Sequence, residues 1–316
     1  MKQNYVLITA AHNEAKFIEA TIRSVIAQTV LPQKWIIVSD ASSDGTDAIV
    51  QNYAAQHSFI ELYRMPGEHA RNFGAQVDAI NAGYARMREM GFAFVGNVDA
   101  DVSLPPDYCQ GLLQKFAANP SLGLAGGFIH EDYGQGFQSR RTNSARSVAH
   151  AAQLFRRECF EAIGGYLRLP HGGPDWVAEI MARQRGWTVQ AFPELIVRHY
   201  RPSASAGGAI RGCWRQGHMD HSLGSLPLFE IVKCLRRVPE RPFVVGAAAR
   251  ILGFLYSWLG GGPRRVPDEV AEYLRTEQKQ RLRQLVGISR RSVQPAVSDA
   301  TPLPSGPVIS GSTPPR

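Results

Sequence analysis

The stretch FAFVGNVDADV, residues 92–102, is an apolar run that ends at two carboxylates, Asp99 and Asp101. The run is β-branched and aromatic and too short for a helix, so it predicts a buried strand of a mostly parallel sheet. Because side chains alternate along an extended backbone, Asp99 and Asp101 are expected to point the same way. Two carboxylates held this close repel each other unless a cation lies between them. A divalent ion with open positions for phosphates meets that need, although a lone Asp-x-Asp also occurs in solvated loops.

Strand-like and helix-like segments alternate around this stretch. Further strands are predicted at 5–9, 35–38 and 60–63, and helices at 18–26, 46–56 and 70–90, with Asn13 as the cap of the first helix. Alternation at this spacing indicates βαβ units and a doubly wound α/β sheet. Because such a sheet gathers the carboxyl ends of its strands at one edge, residues 9–14, Asp40 and the two aspartates are expected to converge there. Asp40 on its own is more typical of a turn or a helix cap, but the convergence favours a binding site.

Shorter elements are predicted in the next hundred residues. They are a helix at 107–118, an apolar segment at 122–129, a mobile polar loop at 131–139, a helix at 157–163, a loop at 169–174 and strands at 187–192 and 195–199. Asp175 follows that loop at the start of another helix, whose buried side would carry Val177, Ile180 and Met181. An aspartate in a first helical turn is often only a favourable partner of the helix dipole.

The composition is that of a folded protein with a basic balance. A hydrophobic fraction of 44% in 316 residues is enough for a large core. The net charge of +8 favours anionic partners, which are nucleotide phosphates, an acidic membrane face or nucleic acid. Nucleic acid is not expected, because the basic residues gather near the C-terminus without the interleaved aromatics of a stacking platform. The four cysteines are scattered, which predicts buried thiols in a reducing compartment and no structural zinc.

The pattern changes after Pro202, and residues 203–286 are expected to form a helical, basic extension. Arginines flank and interrupt its apolar stretch at 243–259, and the charge of Arg250 in the middle argues against a membrane span. Basic flanks with Tyr256 and Trp258 at one end suit a helix lying on an anionic membrane surface, and a helix packed on the catalytic domain is the alternative. A last helix is predicted from the apolar stripe Val270, Tyr273, Leu274, Leu282, Leu285 and Val286. Residues 287–316 are rich in proline, serine and glycine and are expected to be disordered.

Four motifs in order resemble those of glycosyltransferase family 2, inverting enzymes of the GT-A fold. They are TAAHNE at 9–14, SDASSDGT at 39–46, DAD at 99–101, and GGY at 164–166 followed by Pro174-Asp175. The resemblance covers residues 5–201. It implies a GT-A catalytic domain at 1–202, with a nucleotide-binding half at about 1–130 and an acceptor half at about 131–202.

The resemblance also implies a role for each polar residue of the donor side. Thr9, Glu14 and Asp40 would hold the nucleoside of a nucleotide-diphosphate sugar, and Arg71 would lie near its diphosphate or base. Asp99 would face the ribose or the metal.

On the same basis, Asp101 would bind Mn²⁺ or Mg²⁺ and His199 would be a further metal ligand. A structural hydrogen bond at the end of a strand is the alternative role for His199. Asp175 would be the general base that takes the proton of the acceptor hydroxyl.

Several positions depart from the family pattern. Ala10 and His12 stand where proline and tyrosine are usual, Ser39 replaces an aspartate, and Pro174 replaces an acidic neighbour of the base. A neighbouring anion would have raised the pKa of the base. With Pro174 at that position, the sequence does not indicate how the pKa of Asp175 is adjusted. The Gln-x-x-Arg-Trp motif of processive synthases is absent from the sequence. The expected reaction is therefore one hexosyl transfer per encounter, to a carbohydrate or lipid-linked acceptor of polysaccharide biosynthesis, in the cytoplasm or on the inner face of the membrane.

Two other functions stay open at this level. A sugar nucleotidyltransferase would need a Gly-rich basic loop after the first strand, where this chain has Ala-Ala-His-Asn-Glu at 10–14. A catalytically inactive scaffold would bind nucleotide sugar without consuming it. His218 and His221 could also form a metal pair on one helix face, although no third ligand lies near them in the sequence.

Overall fold

A computed structural model describes residues 4–66, 73–201, 208–239, 242–285 and 287 of the chain. Within them, nine strands form one sheet, and they are β1 Tyr5–Ala11, β2 Lys34–Ser39, β3 Ile60–Arg64, β4 Phe94–Val98, β5 Val102–Ser103, β6 Leu122–Asp132, β7 Phe137–Ser139, β8 Ala152–Arg156 and β9 Thr188–His199. The helices are α1 Ile18–Ile26, α2 Thr46–Gln56, α3 Phe73–Met87, α4 Tyr108–Ala118, α5 Arg157–Ala162, α6 Pro174–Gln184, α7 Ala209–Ser222, α8 Pro227–Arg236, α9 Val245–Leu259 and α10 Asp268–Leu285.

The strand order is β3-β2-β1-β4-β8-β6-β9-β5, with β7 paired to β6. Strands β3, β2, β1 and β4 are parallel neighbours, as the βαβ rhythm predicts, while β8 joins the two halves of the sheet through antiparallel pairs. Alternate residues of each strand enter separate cores on the two faces. Ile8 lies in one core and Leu7 in the other. The α/β fold predicted from the sequence is confirmed.

The first loop differs from the prediction because Asn13 does not cap α1. The helix begins at Ile18, and Asn13 has a left-handed backbone with φ of 56°. Its side-chain oxygen accepts the backbone N–H of Ser43 at 2.8 Å. Asn13 therefore joins the loop after β1 to the loop after β2 instead of starting a helix.

Two further predictions in the second half are wrong in detail. The segment 131–139 is not a free loop, because β6 continues to Asp132 and pairs with β7 as a hairpin. The two strands predicted at 187–192 and 195–199 are one strand, β9, whose register against β6 shifts between Gly127 and Phe128. Polar residues in these segments led to the prediction of a loop in one case and of a break between strands in the other. The strands form nevertheless, because backbone pairing does not require an apolar side chain.

Helices α7 and α9 of the C-terminal part cross at backbone contact. A Cβ atom at Gly217 would lie 2.1 Å from the Arg250 carbonyl oxygen, and one at Gly253 would lie 2.3 Å from the Trp214 carbonyl oxygen. Arg250 points inward at this crossing, where its Nε donates to Asp220 at 3.0 Å and to Glu230 at 2.8 Å. Arg250, which interrupts the apolar stretch in the sequence, is thus part of an internal ion pair.

Helix α10 attaches this part to the catalytic region. Arg183 of α6 donates to Glu277 of α10 at 2.8 Å, and Val270 and Leu274 are buried. Leu285 is 52% exposed, so the predicted apolar stripe does not reach the end of the helix. Apart from Gly287, the predicted tail lies outside the described residues. No helix in the described ranges is both long enough and apolar enough to cross a membrane.

Candidate active site

Arg201 joins two carboxylates at the edge of the sheet. Its Nε donates to Asp101 Oδ2 at 2.6 Å and its Nη2 donates to Glu14 Oε1 at 2.6 Å. The pairing of Val102 with His199 brings β9 to this point, and the Tyr200 N–H donates to the Asp101 carbonyl at 3.0 Å. Arg201 is not among the site residues predicted from the sequence, although Arg201 follows His199 by only two residues.

His199 is the second partner of Asp101. Its Nε2 lies 3.2 Å from Asp101 Oδ2. Burial disfavours the charged ring, but its hydrogen bond to Asp101 and the charges of Asp101, Asp99 and Glu131 outweigh this effect, so the pKa of His199 is raised. His199 and Asp101 are therefore an electrostatically coupled pair.

Asp99 is connected to Asp175 through His150. The Nδ1 of His150 lies 3.2 Å from Asp99 Oδ1, and its backbone N–H donates to Asp175 Oδ2 at 3.3 Å. The ring of Tyr166, from the GGY motif, packs against that of His150 with centroids 5.3 Å apart. Burial lowers the pKa of His150, but Asp99 and then Asp175 raise it above its ordinary value. The sequence analysis missed His150, which lies on the segment just before the unpredicted strand β8.

The DAD motif does not continue strand β4. Strand β4 ends at Val98, and residues 99–101 leave the extended conformation. Asp99 contacts His150 and Asp101 contacts Arg201, and both aspartates raise the pKa of His199. The extended backbone predicted for residues 99–101 is therefore wrong, while the common orientation of the two aspartates stays a prediction.

Thr9 lies inside the sheet and does not face the open edge. It is fully buried, donates to the Val98 carbonyl at 2.6 Å and accepts from Trp35 Nε1 at 3.0 Å. In the structure its hydroxyl therefore joins β1 to β4, and a role in nucleoside binding stays a prediction.

Asp40 lies at the carboxyl end of β2, beside a surface cleft. Its backbone N–H donates to the Ala11 carbonyl at 2.9 Å. The cleft is lined by residues of the segment 39–48 together with Arg64 and Met65. Arg71, the other predicted donor-side residue, lies outside the described residues.

The SDASSDGT motif holds the first loop in place. Asp44 Oδ2 accepts the backbone N–H of Ala15 at 3.0 Å, and Thr46 Oγ1 accepts that of Glu14 at 2.8 Å. Glu14 is buried and reaches Arg201 from this anchored loop. These contacts hold Glu14 in place at the edge of the sheet, and its role in nucleoside binding stays a prediction.

The residues around Asp101 fit part of a divalent-cation site. In the ranges that the structure describes, no three His, Cys, Asp or Glu side chains form a complete metal-binding group. Asp101 and His199 do offer an adjacent carboxylate oxygen and imidazole nitrogen, while the buried Nδ1 of His199 has no hydrogen-bond partner. Mg²⁺ usually keeps several ligands from substrate phosphates and water, so two protein ligands suit a cation that binds together with a diphosphate.

The alternative metal pair of His218 and His221 is not supported. His218 Nδ1 contacts the Ser257 hydroxyl at 2.5 Å, and the His221 ring packs edge-on against Phe254. Both rings are part of the α7–α9 packing.

Glu179 is a buried carboxyl that the sequence analysis missed. It lies one turn after Asp175 on α6 and is 2% exposed. Its Oε1 accepts the Ser147 hydroxyl at 2.9 Å and the Val148 N–H at 2.6 Å, which fixes the segment leading to His150. Burial raises the pKa of Glu179 to about 8, with the charge of Asp175 adding to the effect and Arg183 opposing it.

Replacing Glu179 with glutamine is expected to change how stability depends on pH. Between the ordinary carboxyl pKa of the unfolded chain and about 8, the folded protein holds a proton that the unfolded chain has lost. The free energy of unfolding therefore falls as pH rises through this window, by up to about 1.4 kcal/mol per pH unit. Glu179→Gln should remove most of this slope, as urea unfolding at pH 6 and pH 8 would show. An unchanged slope in the variant would contradict the assignment.

A family model described as glycosyl transferase family 2 matches residues 6–172, more than half of the chain. The chain belongs to glycosyltransferase family 2. The resemblance read from the four motifs is thereby confirmed, and the protein is a glycosyltransferase.

Curated relatives match part of this family 2 chain. The poly-β-1,6-N-acetyl-D-glucosamine synthase of Staphylococcus epidermidis is 26% identical over 124 residues, which are 38% of this chain and 27% of the relative. The same enzyme of Staphylococcus aureus is 26% identical over 125 residues, 40% of this chain and 28% of the relative. The chain therefore matches about a quarter of the length of these relatives.

Solved structures share the GT-A fold of this family 2 chain. The mannosyltransferase PcManGT from Pyrobaculum calidifontis, in complex with GDP-Man and Mn²⁺, superposes with a TM-score of 0.52 at 16% identity, over 90% of this chain and 83% of that one. TarS 1–349 of S. aureus, in complex with UDP-GlcNAc, gives 0.52 at 10% identity over 81% and 73% of the two chains. At these identities the likeness establishes the fold alone.

Proposed function

We propose that this glycosyltransferase moves a hexosyl group, with inversion, from a nucleotide-diphosphate sugar to an acceptor hydroxyl. The observation that carries the proposal is the connection from Asp175 through His150 to Asp99. Through this connection one residue, His150, contacts both Asp175, the proposed base, and Asp99, a carboxylate of the proposed donor side. Family membership makes the donor class the natural choice, and relatives were crystallised with UDP-GlcNAc and with GDP-Man.

The proposed chemistry assigns one task to each end of this connection. Asp175 takes the proton of the acceptor hydroxyl, while the His150 N–H holds one oxygen of its carboxylate in orientation. Attack from the side opposite the leaving diphosphate inverts the anomeric centre. Arg201 places a fixed positive charge beside Asp101 and Glu14.

Asp101 and His199 would hold the proposed cation, Mn²⁺ or Mg²⁺, with Asp99 nearby. Such a cation supplies a Lewis acid that stabilises the negative charge of the departing nucleotide diphosphate. The proposed donor pocket includes the cleft beside Asp40. Thr9 is proposed to support this pocket by joining β1 to β4.

We also propose how the chain is divided into domains and where in the cell the transfer takes place. Residues 1–202 would be the catalytic domain, and 203–286 a helical extension that contacts it through α10. Transfer is proposed to be non-processive, to a polysaccharide precursor carried on lipid, at the inner face of the membrane. The staphylococcal relatives that this chain matches are polysaccharide synthases by name.

A donor-hydrolysis screen tests this function. UDP-, GDP- and dTDP-sugars are incubated with the protein and Mn²⁺, beside EDTA and the variant Asp101→Ala. We expect slow hydrolysis of one donor class that stops with EDTA and in the variant. Nucleotide-sugar binding without consumption, even with candidate acceptors added, would instead indicate an inactive scaffold.

A further inference from the structure

Helix α9 presents an apolar face to the outside. Its exposed side chains on that face are Val245, Ala248, Leu252, Tyr256 and Leu259, which are spaced by three or four residues. Leu252 is 56% exposed and Leu259 is 77% exposed. The single charge of the helix, Arg250, is buried on the other side, so nothing ionic interrupts the exposed face.

The neighbouring helices add apolar side chains to the same region. Leu228, Ile231 and Leu235 share one side of α8 and are 62%, 44% and 62% exposed. On α7, the exposed Trp214 contacts the Tyr256 ring with centroids 5.8 Å apart. We call these residues of α7, α8 and α9 the outer face. A concentration of exposed large apolar side chains marks an interaction surface.

The exposed charges on the segments that carry the outer face are mainly basic. Within residues 208–239 and 242–267, both acidic side chains, Asp220 and Glu230, are buried. Lys233 contacts them at 2.9 Å and 3.0 Å, in addition to the Arg250 pairs. The exposed charged side chains in these ranges are Arg211, Arg236, Arg264 and Arg265, of which Arg264 pairs with the exposed Asp268 at 3.0 Å. Because Asp220 and Glu230 are buried, these segments present a basic surface, which complements an anionic partner.

We infer that the outer face binds an anionic lipid bilayer, with α9 lying in the interface. An apolar helix face with tryptophan and tyrosine beside arginines is the pattern that binds the boundary between lipid headgroups and acyl chains. The inward position of Arg250 supports this inference, because α9 packs on α7 and still keeps a charge-free outer side.

The outer face also adjoins the proposed acceptor side. The His218 ring contacts Trp214 and Tyr256, with centroids 5.2 Å and 5.7 Å away. On its other side it contacts His171, 5.9 Å away, which lies four residues before Asp175. A bilayer on the outer face would bring a lipid-linked acceptor towards Asp175, a step of the inference that rests on the proposed function.

Flotation of the full chain with vesicles tests the binding without requiring any turnover. The vesicles contain phosphatidylcholine alone or with phosphatidylglycerol, at low and high salt. We expect the protein to float with the anionic vesicles and to float less at high salt, because screening weakens exposed charges. The double variant Leu252→Glu, Leu259→Glu should lower the bound fraction about tenfold or more, since it places charges in the inserted side. Leu31→Glu, at a 48% exposed leucine in the loop before β2, is the matched control and should bind normally.

Three outcomes would overturn the inference. One is a chain that stays in the soluble fraction with anionic vesicles, and another is equal loss of binding in the Leu31→Glu control. The third is that sedimentation shows a dimer of the native chain and a monomer of the double variant, while neither protein binds vesicles. The outer face would then be an interface between two copies of the chain. Donor hydrolysis is measured on the same samples, so failure of the binding can be told apart from failure of the proposed reaction.

Discussion

Replacing Asp175 with asparagine is expected to lower the rate of sugar transfer by about 10²–10⁴-fold, the usual contribution of a general base. The amide keeps an oxygen that can accept the His150 N–H, which in the native chain donates to Asp175 Oδ2 at 3.3 Å. It loses the ability to take a proton. The loss should therefore appear in kcat, while the affinity for the donor stays the same. Initial rates with a saturating acceptor, beside equilibrium binding of the nucleotide sugar, measure both quantities.

A matched variant separates this effect from a general loss of structure. Asp107 also precedes a helix, α4, but it is exposed and its side chain makes no capping hydrogen bond. Asp107→Asn should therefore transfer sugar at the native rate. Full turnover by Asp175→Asn would remove Asp175 from the role of base.

Replacing Asp101 with alanine is expected to lower kcat/KM by about 10³-fold or more, because a cation that stabilises the leaving group contributes several kcal/mol. The change also removes the oxygen that Arg201 contacts at 2.6 Å and His199 at 3.2 Å. Donor binding should weaken together with the rate, unlike the result for Asp175→Asn. A titration with Mn²⁺ should show that the residual activity no longer depends on the metal.

Two comparisons make the Asp101 experiment decisive. Asp101→Asn keeps groups that can hydrogen-bond to the neighbouring side chains but lacks the charge, so it should be nearly as impaired as the alanine variant if the carboxylate binds a cation. Asp107→Ala removes a carboxylate away from the site and should remain active. Native activity of Asp101→Ala, or activity of the native protein that EDTA leaves unchanged, would contradict the metal-dependent mechanism.

The local patterns of the sequence were enough to predict the strands and helices of the first hundred residues. Residues that must be buried together there are close in the sequence. They therefore appear as an apolar run, such as 92–98, or at helical spacing, such as Ile18, Ile22 and Val25. The prediction became worse after residue 130. There β8 and the bulged strand β9 pair with strands that are distant in the sequence, and β7 is a three-residue hairpin strand of partly exposed residues, so the local pattern is a weaker guide.

The sequence by itself determined which carboxylates stand at strand ends and that the chain carries a basic, apolar C-terminal part. Only the tertiary structure decided what these groups contact. Arg201 reaches Glu14 across 187 positions of the chain, and His150 connects Asp99 to Asp175 from a turn just before β8, a strand that no pattern predicted. Arg250 breaks an apolar run in the sequence, yet it turns inward to Asp220 and Glu230 and leaves the outside of α9 without charge. The physical reason is that burial leaves a local periodic trace in the sequence, whereas an ion pair depends on the path of the whole chain.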